Sequence, residues 1–438
     1  MQTANRLLSL DVMRGLTIAG MILVNNPGDW GNLYAPLEHA EWHGCTPTDW
    51  VFPFFLFMVG VAIPLALGKR KERGDDQGQI SRKIVSRSLI IIGLGLFLAA
   101  HPMFYFRDKT SPWFLVHLVI MSIAMLAIFT REVLNQSQFQ TVVWQQRRKW
   151  VSYLAWAMIA GMVVLGFFYY DFSHMRFPGV LQRIGLVYLA CGFLFLKTTP
   201  KVQLITGIGL LLLYWALMTL VPVPDGYAPN LDMETNLAAW FDRTILTTNH
   251  LWAAAKTWDP EGLLSTLPAI ATGIAGMLTG EWLRSNRTDY EKVSGILAVG
   301  ALLFALGLIW NEVFPLNKKI WTSSYVVYMA GISLLFLGTI YWLVDIKGWK
   351  GWIKPFQVYG VNALFAFLLS GIVGRLLGVI KVAGADGEPI GIGSWMYQHS
   401  FVGILSPINA SLAWAICMVV FIWGACWILY RNRIYIKV

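Results

Sequence analysis

The chain has 438 residues, of which 56% are hydrophobic and 13% charged, and its mean hydropathy is +0.57. Soluble globular proteins carry about 25% charged residues, so a water-soluble fold is excluded. The net charge of +10 does not point to nucleic acid, because the basic residues sit in short loops between apolar runs, where they set membrane orientation.

The apolar runs are long enough to cross a bilayer as helices, and the alternating strands of a barrel are absent. The expected fold is an all-α polytopic integral membrane protein with about 12 transmembrane helices in one bundle, and 1–438 reads as a single membrane domain. The expected spans are 7–25, 50–67, 84–100, 113–129, 150–168, 180–196, 202–221, 263–282, 292–313, 323–344, 355–379 and 408–430. Of the 34 Lys and Arg, 23 fall in one set of loops and 8 in the other, which predicts both termini in the cytoplasm. No cleavable signal is expected, since the N-terminus runs straight into the first span. The longest outward loop, 222–262, should fold over the mouth of the bundle. Three of the four cysteines lie inside apolar spans and none has zinc-type spacing, so neither a disulfide framework nor a structural metal is expected.

Taken in chain order, the first polar feature is Asp11 with Arg14 in SLDVMRG, three residues apart and on one helical face. This is either a structural ion pair or an anion site with Asp11 orienting Arg14. Residues 25–64 then carry Asn25, Asn26, His39, Trp42, His43 and Asp49 on one outward loop without Lys or Arg up to position 49. Histidine can move a proton near neutral pH or act as a nucleophile. On a helix His39 and His43 would share a face, but no third ligand is in view, so no metal is expected. Arg183, in PGVLQRIG, lies about one turn inside its span, facing a cavity or snorkelling to the interface. In WDPEGLLSTLPAI, Asp259 and Glu261 either favour the start of a helix through its dipole or hold a polar substrate. LNKKIWTSSYV places Trp321 and Ser323 in an outward polar cluster, and YGVNALFAF places Asn362 in the inward third of its span.

The ordered blocks SLDVMRG, VNN, HAEWHGCTPTDWVFPFFLF, PGVLQRIG, DPEGLLST, LNKKIWTSSYV and YGVNAL resemble the heparan-α-glucosaminide N-acetyltransferase family, over residues 7 to about 370. The HAEW…DWVFPFF block is the most specific of them. The resemblance implies a transmembrane acetyltransferase that takes acetyl from cytoplasmic acetyl-CoA and places it on a glucosamine amine across the membrane. It implies His39 as general base or acetyl carrier, with Asn25 near it; Asp49, brought to the same face by the loop, is expected to join them in catalysis. Asn26, Trp42, Arg183, Asp259, Glu261 and Trp321 are then expected to serve the acceptor, and Asp11, Arg14, Ser323 and Asn362 the CoA. His43 is support or bystander. The segment 113–168 reads as an additional helix pair relative to the lysosomal member. A small amino sugar on the periplasmic side of a bacterial inner membrane is the expected acceptor. Acetyl-CoA, the acceptor and membrane lipid are the expected partners, without nucleic acid, and a homodimer stays open. The alternatives are a secondary transporter of amino sugars and an O-acetyltransferase acting on a cell-envelope glycan.

Overall fold

The computed structural model describes residues 7–101, 106–108, 111–136, 139, 141–384 and 387–436. The chain ends expected in the cytoplasm, 1–6 and 437–438, and parts of the loops at 101–112, 130–150 and 380–407 lie outside the described residues.

Helix α1 (Leu8–Asn25) has no cap from its own sequence. Its first amides are satisfied from far along the chain, where the Asp345 carboxylate accepts from Leu8 N at 3.2 Å and Ser9 N at 3.0 Å. Helix α2 (Val51–Glu72) grows out of a 3-10 turn at Pro47–Trp50 in which Thr46 and Asp49 form a capping box. It ends on Lys69, Arg70 and Lys71, whose charges suit a helix C-terminus. Then follow α3 (Gln77–Ala100), α4 (Pro112–Leu134), α5 (Val142–Tyr169), α6 (Val180–Lys197) and α7 (Pro200–Leu220). The second half holds α8 (Leu237–Leu246), α9 (Thr266–Arg284), α10 (Asp289–Asn311) and α11 (Ser323–Tyr341), which runs on into a π turn at Trp342–Ile346. The chain finishes with α12 (Lys354–Val361), α13 (Ala363–Val379), a two-stranded hairpin (β1 Lys381–Ala383, β2 Pro389–Gly391), α14 (Ile392–Ser400) and α15 (Pro407–Arg431).

Ten helices among the described residues are long and apolar enough to cross a membrane, or eleven if the bent pair α12–α13 is one span. The chain is a multi-pass membrane protein, and its candidate spans number ten or eleven against the twelve expected, for two reasons. The expected span at 263–282 is a helix, α9, yet it is not among the ten. Its sequence is rich in Gly, Ala and Thr, and twelve of its nineteen residues are buried by protein. A helix wrapped by other helices has no need of a lipid-compatible surface. The expected span at 355–379 is broken, with α12 and α13 meeting at 84°. Asn362 sits at that break rather than inside a helix.

The loops sort themselves by contact. Lys71 Nζ donates to Thr198 O at 3.1 Å, Arg284 Nη2 to Glu72 at 2.6 Å, and Tyr435 N to Gln136 at 3.2 Å. At the other end, Gly44 N bonds Leu316 O at 2.7 Å, Arg107 N bonds Tyr169 O at 3.0 Å, and Phe177 N bonds His250 O at 3.0 Å. Each of these bonds joins two loops of the same set in the charge count above. The Lys/Arg-rich loops therefore share one end of the bundle, and the His39 loop belongs to the other.

A close backbone seam in the bundle joins α2 to α9. A Cβ on Gly276 would lie 1.9 Å from Phe57 O, and one on Gly60 would lie 2.0 Å from Gly273 O. Backbone meets backbone here, so no side-chain rotation can make room. Gly276→Ala is expected to lower the thermal stability of the detergent-solubilised protein by about 1–3 kcal/mol, the usual cost of overpacking. Gly209→Ala on α7, where a Cβ meets nothing within 4 Å, should leave the melting midpoint unchanged or slightly raised.

Candidate functional site

His39 lies in a segment without helix between the 3-10 turn Ala35–Leu37 and Gly44. The helical pairing of His39 with His43 is thus absent, because Gly44 takes a φ of 111° and the chain turns to pair with Asn317. His39 Nδ1 instead meets Asp49 Oδ1 at 2.6 Å. Asp49 is held rigidly: its other oxygen accepts from Ala40 N (3.2 Å), Thr46 N (3.0 Å) and Thr46 Oγ1 (3.1 Å), and its backbone carbonyl accepts from Tyr325 Oη at 2.7 Å. The same carboxylate therefore starts α2 and orients the imidazole. An ionised carboxylate only accepts, so the proton of the neutral ring sits on Nδ1 and Nε2 keeps its lone pair. The His39 side chain is 41% exposed while that of Asp49 is 2% exposed. This is an exposed imidazole on a buried anchor.

Trp42, three residues further on, packs against the loop 222–262. Its Nε1 donates to Leu231 O at 2.8 Å, and its ring packs edge-on against Trp258 at 5.2 Å, which in turn meets Trp252 at 5.7 Å. Loop 222–262 thus folds back onto the His39 loop. Lys319 Nζ sits 5.9 Å from both the Trp42 and Trp258 rings and donates to Glu41 O. Burial, helped by the neighbouring Lys318, draws the Lys319 pKa down. His43 meets Trp42 edge-on at 6.3 Å, and burial lowers its pKa against an opposing pull from Asp232.

Asn25 and Asn26 belong to a cavity of about 470 Å³, lined also by Trp30, Ser370, Arg375 and Tyr397. Asn25 is exposed into it, while Asn26 turns its amide back to Ile22 O at 2.8 Å. A second cavity of about 710 Å³, with Arg176, Gln182, Trp252 and Lys256 on its wall, shares Leu98, Phe367 and Arg375 with the first. Trp252 ties this second cavity to the Trp258–Trp42 stack. Among the described residues no hydrogen bond joins Asn25 to His39.

The remaining acceptor candidates are set deeper than the sequence suggests. Arg183 is 1% exposed, with Nη2 donating to Gly262 O (2.9 Å) and Ser265 Oγ (2.5 Å) and its guanidinium 5.2 Å above the Trp321 ring. It is neither snorkelling nor on a cavity wall. Trp321 is fully buried, its Nε1 on Thr272 Oγ1 at 3.2 Å, with a left-handed φ of 54° that a non-glycine residue holds only under tertiary constraint. Asp259 and Glu261 are both engaged by a residue that sequence reasoning passed over as a loop cation, Arg176. Its Nε and Nη2 reach Asp259 at 2.8 and 2.6 Å, and Nη2 also reaches Glu261 at 2.6 Å. Burial opposes the Arg176 charge, but the two carboxylates outweigh it and raise its pKa. The four expected CoA residues do not form one site. Arg14 donates to Asp11 at 3.4 Å and to Gly360 O at 3.3 Å, and Asn362 holds the C-terminal tail through Ile434 O and Ile436 N. Ser323 spends its hydroxyl on Leu211 O at 2.7 Å and stands at the opposite end of α11, roughly 30 Å of helix away from the Asp345 cap on α1.

Asp242 on α8 was also not legible beforehand. It is 2% exposed, accepts from Leu263 N at 2.8 Å, and burial pushes its pKa to about 7. A carboxyl whose folded pKa lies above its unfolded value binds its proton more tightly in the folded state. Its contribution therefore falls as pH rises from about 4 to about 7. Asp242→Asn keeps an accepting oxygen and removes the titration. We expect its stability to be flatter over that range, with a gain of up to about 4 kcal/mol above pH 7, checked by melting in detergent from pH 4 to 8.

Residues 6–144 match a protein-family model described as heparan-alpha-glucosaminide N-acetyltransferase, catalytic. Along a longer stretch the chain is 25% identical to the heparan-alpha-glucosaminide N-acetyltransferase of Mus musculus over 420 residues, covering 84% of this chain and 53% of that protein. The Homo sapiens protein of the same name is 25% identical over 417 residues, covering 83% and 52%. The chain spans about half the length of the curated relatives it matches. It is a distant homologue of these membrane acetyltransferases, and His39, Asp49, Asn25 and Trp42 all lie within the matched catalytic segment.

Proposed function

We propose that this distant homologue of the heparan-alpha-glucosaminide N-acetyltransferases moves acetyl from acetyl-CoA, on the Lys/Arg-rich side of the membrane, to the amine of glucosamine or a small amino sugar on the other. We read the Lys/Arg-rich side as cytoplasmic, and a bacterial inner membrane as the setting. The observation that carries the reading is the His39–Asp49 pair, an exposed imidazole with a free Nε2 on a buried carboxylate, inside the segment matched by the family.

In the mechanism we favour, Nε2 of His39 takes a proton from the sugar ammonium. The amine lone pair then attacks the thioester carbonyl carbon, the C–S bond breaks, and the departing CoA thiolate takes the second proton, which the acylated nitrogen sheds. Asp49 fixes the ring and steadies the imidazolium. Asn25, exposed into the cavity it lines, is the group we assign to donate to a developing oxyanion. In the second route Nε2 attacks the thioester first and carries the acetyl group, which makes the kinetics ping-pong. Trp42, in the same loop as His39, and Lys319, which faces the Trp42 ring, are the residues we assign to the acceptor. Arg183, Trp321, Asp259 and Glu261 act indirectly, by holding loop 258–265 in place.

The test is acetyl transfer by the purified protein from radiolabelled acetyl-CoA to glucosamine. Labelled N-acetylglucosamine supports the reading. Glucosamine uptake into proteoliposomes without acetyl-CoA, and no labelled product, would sink it in favour of a transporter. Label found on a hydroxyl of a glycan acceptor would favour O-acetyl transfer.

A further inference from the structure

Helices α4 and α5 pack mainly on each other and leave most of their apolar surface outside the bundle, with only 22% and 17% of their membrane windows buried. Where the end of α4 meets the start of α5, they enclose a polar recess of about 360 Å³. Its lining is Arg131, Asn135, Arg148, Lys149, Ser152 and Tyr153. Three cations and three neutral hydrogen-bonding side chains face one space, and no carboxylate is among them. Arg148 Nη1 donates to Asn135 at 2.7 Å, so the recess is braced across both helices. The two cations on α5 stand about two turns into that helix. Next to the recess the surface turns aromatic and apolar, with Trp150 66%, Tyr153 63% and Trp156 66% exposed. Tryptophan and tyrosine in that position mark the level of the lipid headgroups.

We propose that this recess binds the phosphate of an anionic membrane lipid whose chains lie along the exposed faces of α4 and α5. Charge complementarity requires an anion, and the hydrogen-bonding neighbours suit phosphate oxygens. The apolar, aromatic margin gives a lipid a purchase that a free phosphate lacks. The recess also lies at the Lys/Arg-rich end of the bundle, where juxtamembrane basic clusters meet anionic headgroups. The lipid joins α4 to α5 at that end, and its site stands apart from the His39 site at the opposite end.

The experiment is native mass spectrometry of the full chain, delipidated in mild detergent and offered phosphatidylglycerol, phosphatidylcholine or inorganic phosphate. Retention of phosphatidylglycerol over phosphatidylcholine is expected. The triple change Arg131→Gln, Arg148→Gln, Lys149→Gln should lower that retention by about tenfold or more. Arg82→Gln, Lys83→Gln, Arg87→Gln, which removes as much exposed charge from α3 at the same end, should leave it intact. If the triple variant does not fold, Arg131→Gln and Lys149→Gln taken singly, which keep the Arg148–Asn135 brace, carry the comparison with a smaller loss. Equal loss in the α3 variant, unchanged retention in the recess variants, or equal retention of phosphatidylcholine would overturn the proposal. Displacement of the lipid by millimolar inorganic phosphate would do so too, since it would make the recess a soluble-phosphate site.

Discussion

His39→Ala is expected to lower acetyl transfer by about 10³-fold or more, with acetyl-CoA still bound. The reason is the division of labour in the pair. Asp49 has one oxygen committed to Ala40 and Thr46 and cannot swing out to replace the base. The nearest other imidazole, His43, leans on Trp42 and is drawn by burial toward a lower pKa. The loss should therefore fall on kcat, with KM for acetyl-CoA little changed. Asp49→Asn is the informative companion. An amide can still cap α2, but it can present its NH₂ to Nδ1 and favour the wrong tautomer. Turnover should fall in that variant too, while the melting point drops by only a degree or a few. A His39→Ala protein transferring at the normal rate would remove this residue from the chemistry altogether.

The largest loss of stability is expected at Arg176→Met. The side chains of Asp259 and Glu261 are 0% and 6% exposed, and Arg176 is hydrogen-bonded to both. Removing it strands two carboxylates in a low-dielectric pocket, a change that costs about 3–5 kcal/mol. The variant should carry a signature in pH. Without the guanidinium, both folded-state pKa values rise above their unfolded values, so stability is highest in acid and is lost as pH increases. The triple change Arg176→Met, Asp259→Asn, Glu261→Gln should regain much of the loss and erase the pH slope. Circular dichroism melts in detergent between pH 4 and 8 would read both. A flat profile for Arg176→Met would mean that the carboxylates are satisfied by other groups.

Much of the architecture was legible in the chain. Lipid-facing helices must be apolar along their whole length, and the loops must carry the charge that orients them. That is why ten of the expected spans have their counterparts among the ten apolar helices. α9 falls outside that apolar set for the same physical reason: a helix surrounded by other helices answers to their shape, and its Gly–Ala–Thr face is written for contact with α2. The break at Asn362 was hidden because its partners, Ile434 and Ile436, are more than 70 residues away. The site divided in a similar way. His39 and Asp49 are ten residues apart within one short loop, so their meeting could be guessed. Arg176 with Asp259 and Glu261 could not, because the pair is made by two loops more than 80 residues apart. Lys319 beside Trp42 and Asp242 beneath Leu263 were missed likewise, since long-range partners leave no local pattern.

The seam between α2 and α9 also bears on how the chain is made. α9 lacks the continuous apolarity that lets a segment leave the translocon for lipid unaided, and its small-residue face fits a groove on a helix formed earlier. Gly276 is synthesised more than 200 residues after Gly60, which at ordinary elongation rates is on the order of 10–40 s. For that interval the groove on α2 waits for its insert. The second half of the bundle is then admitted to the membrane by the first, and the order of synthesis becomes part of the assembly.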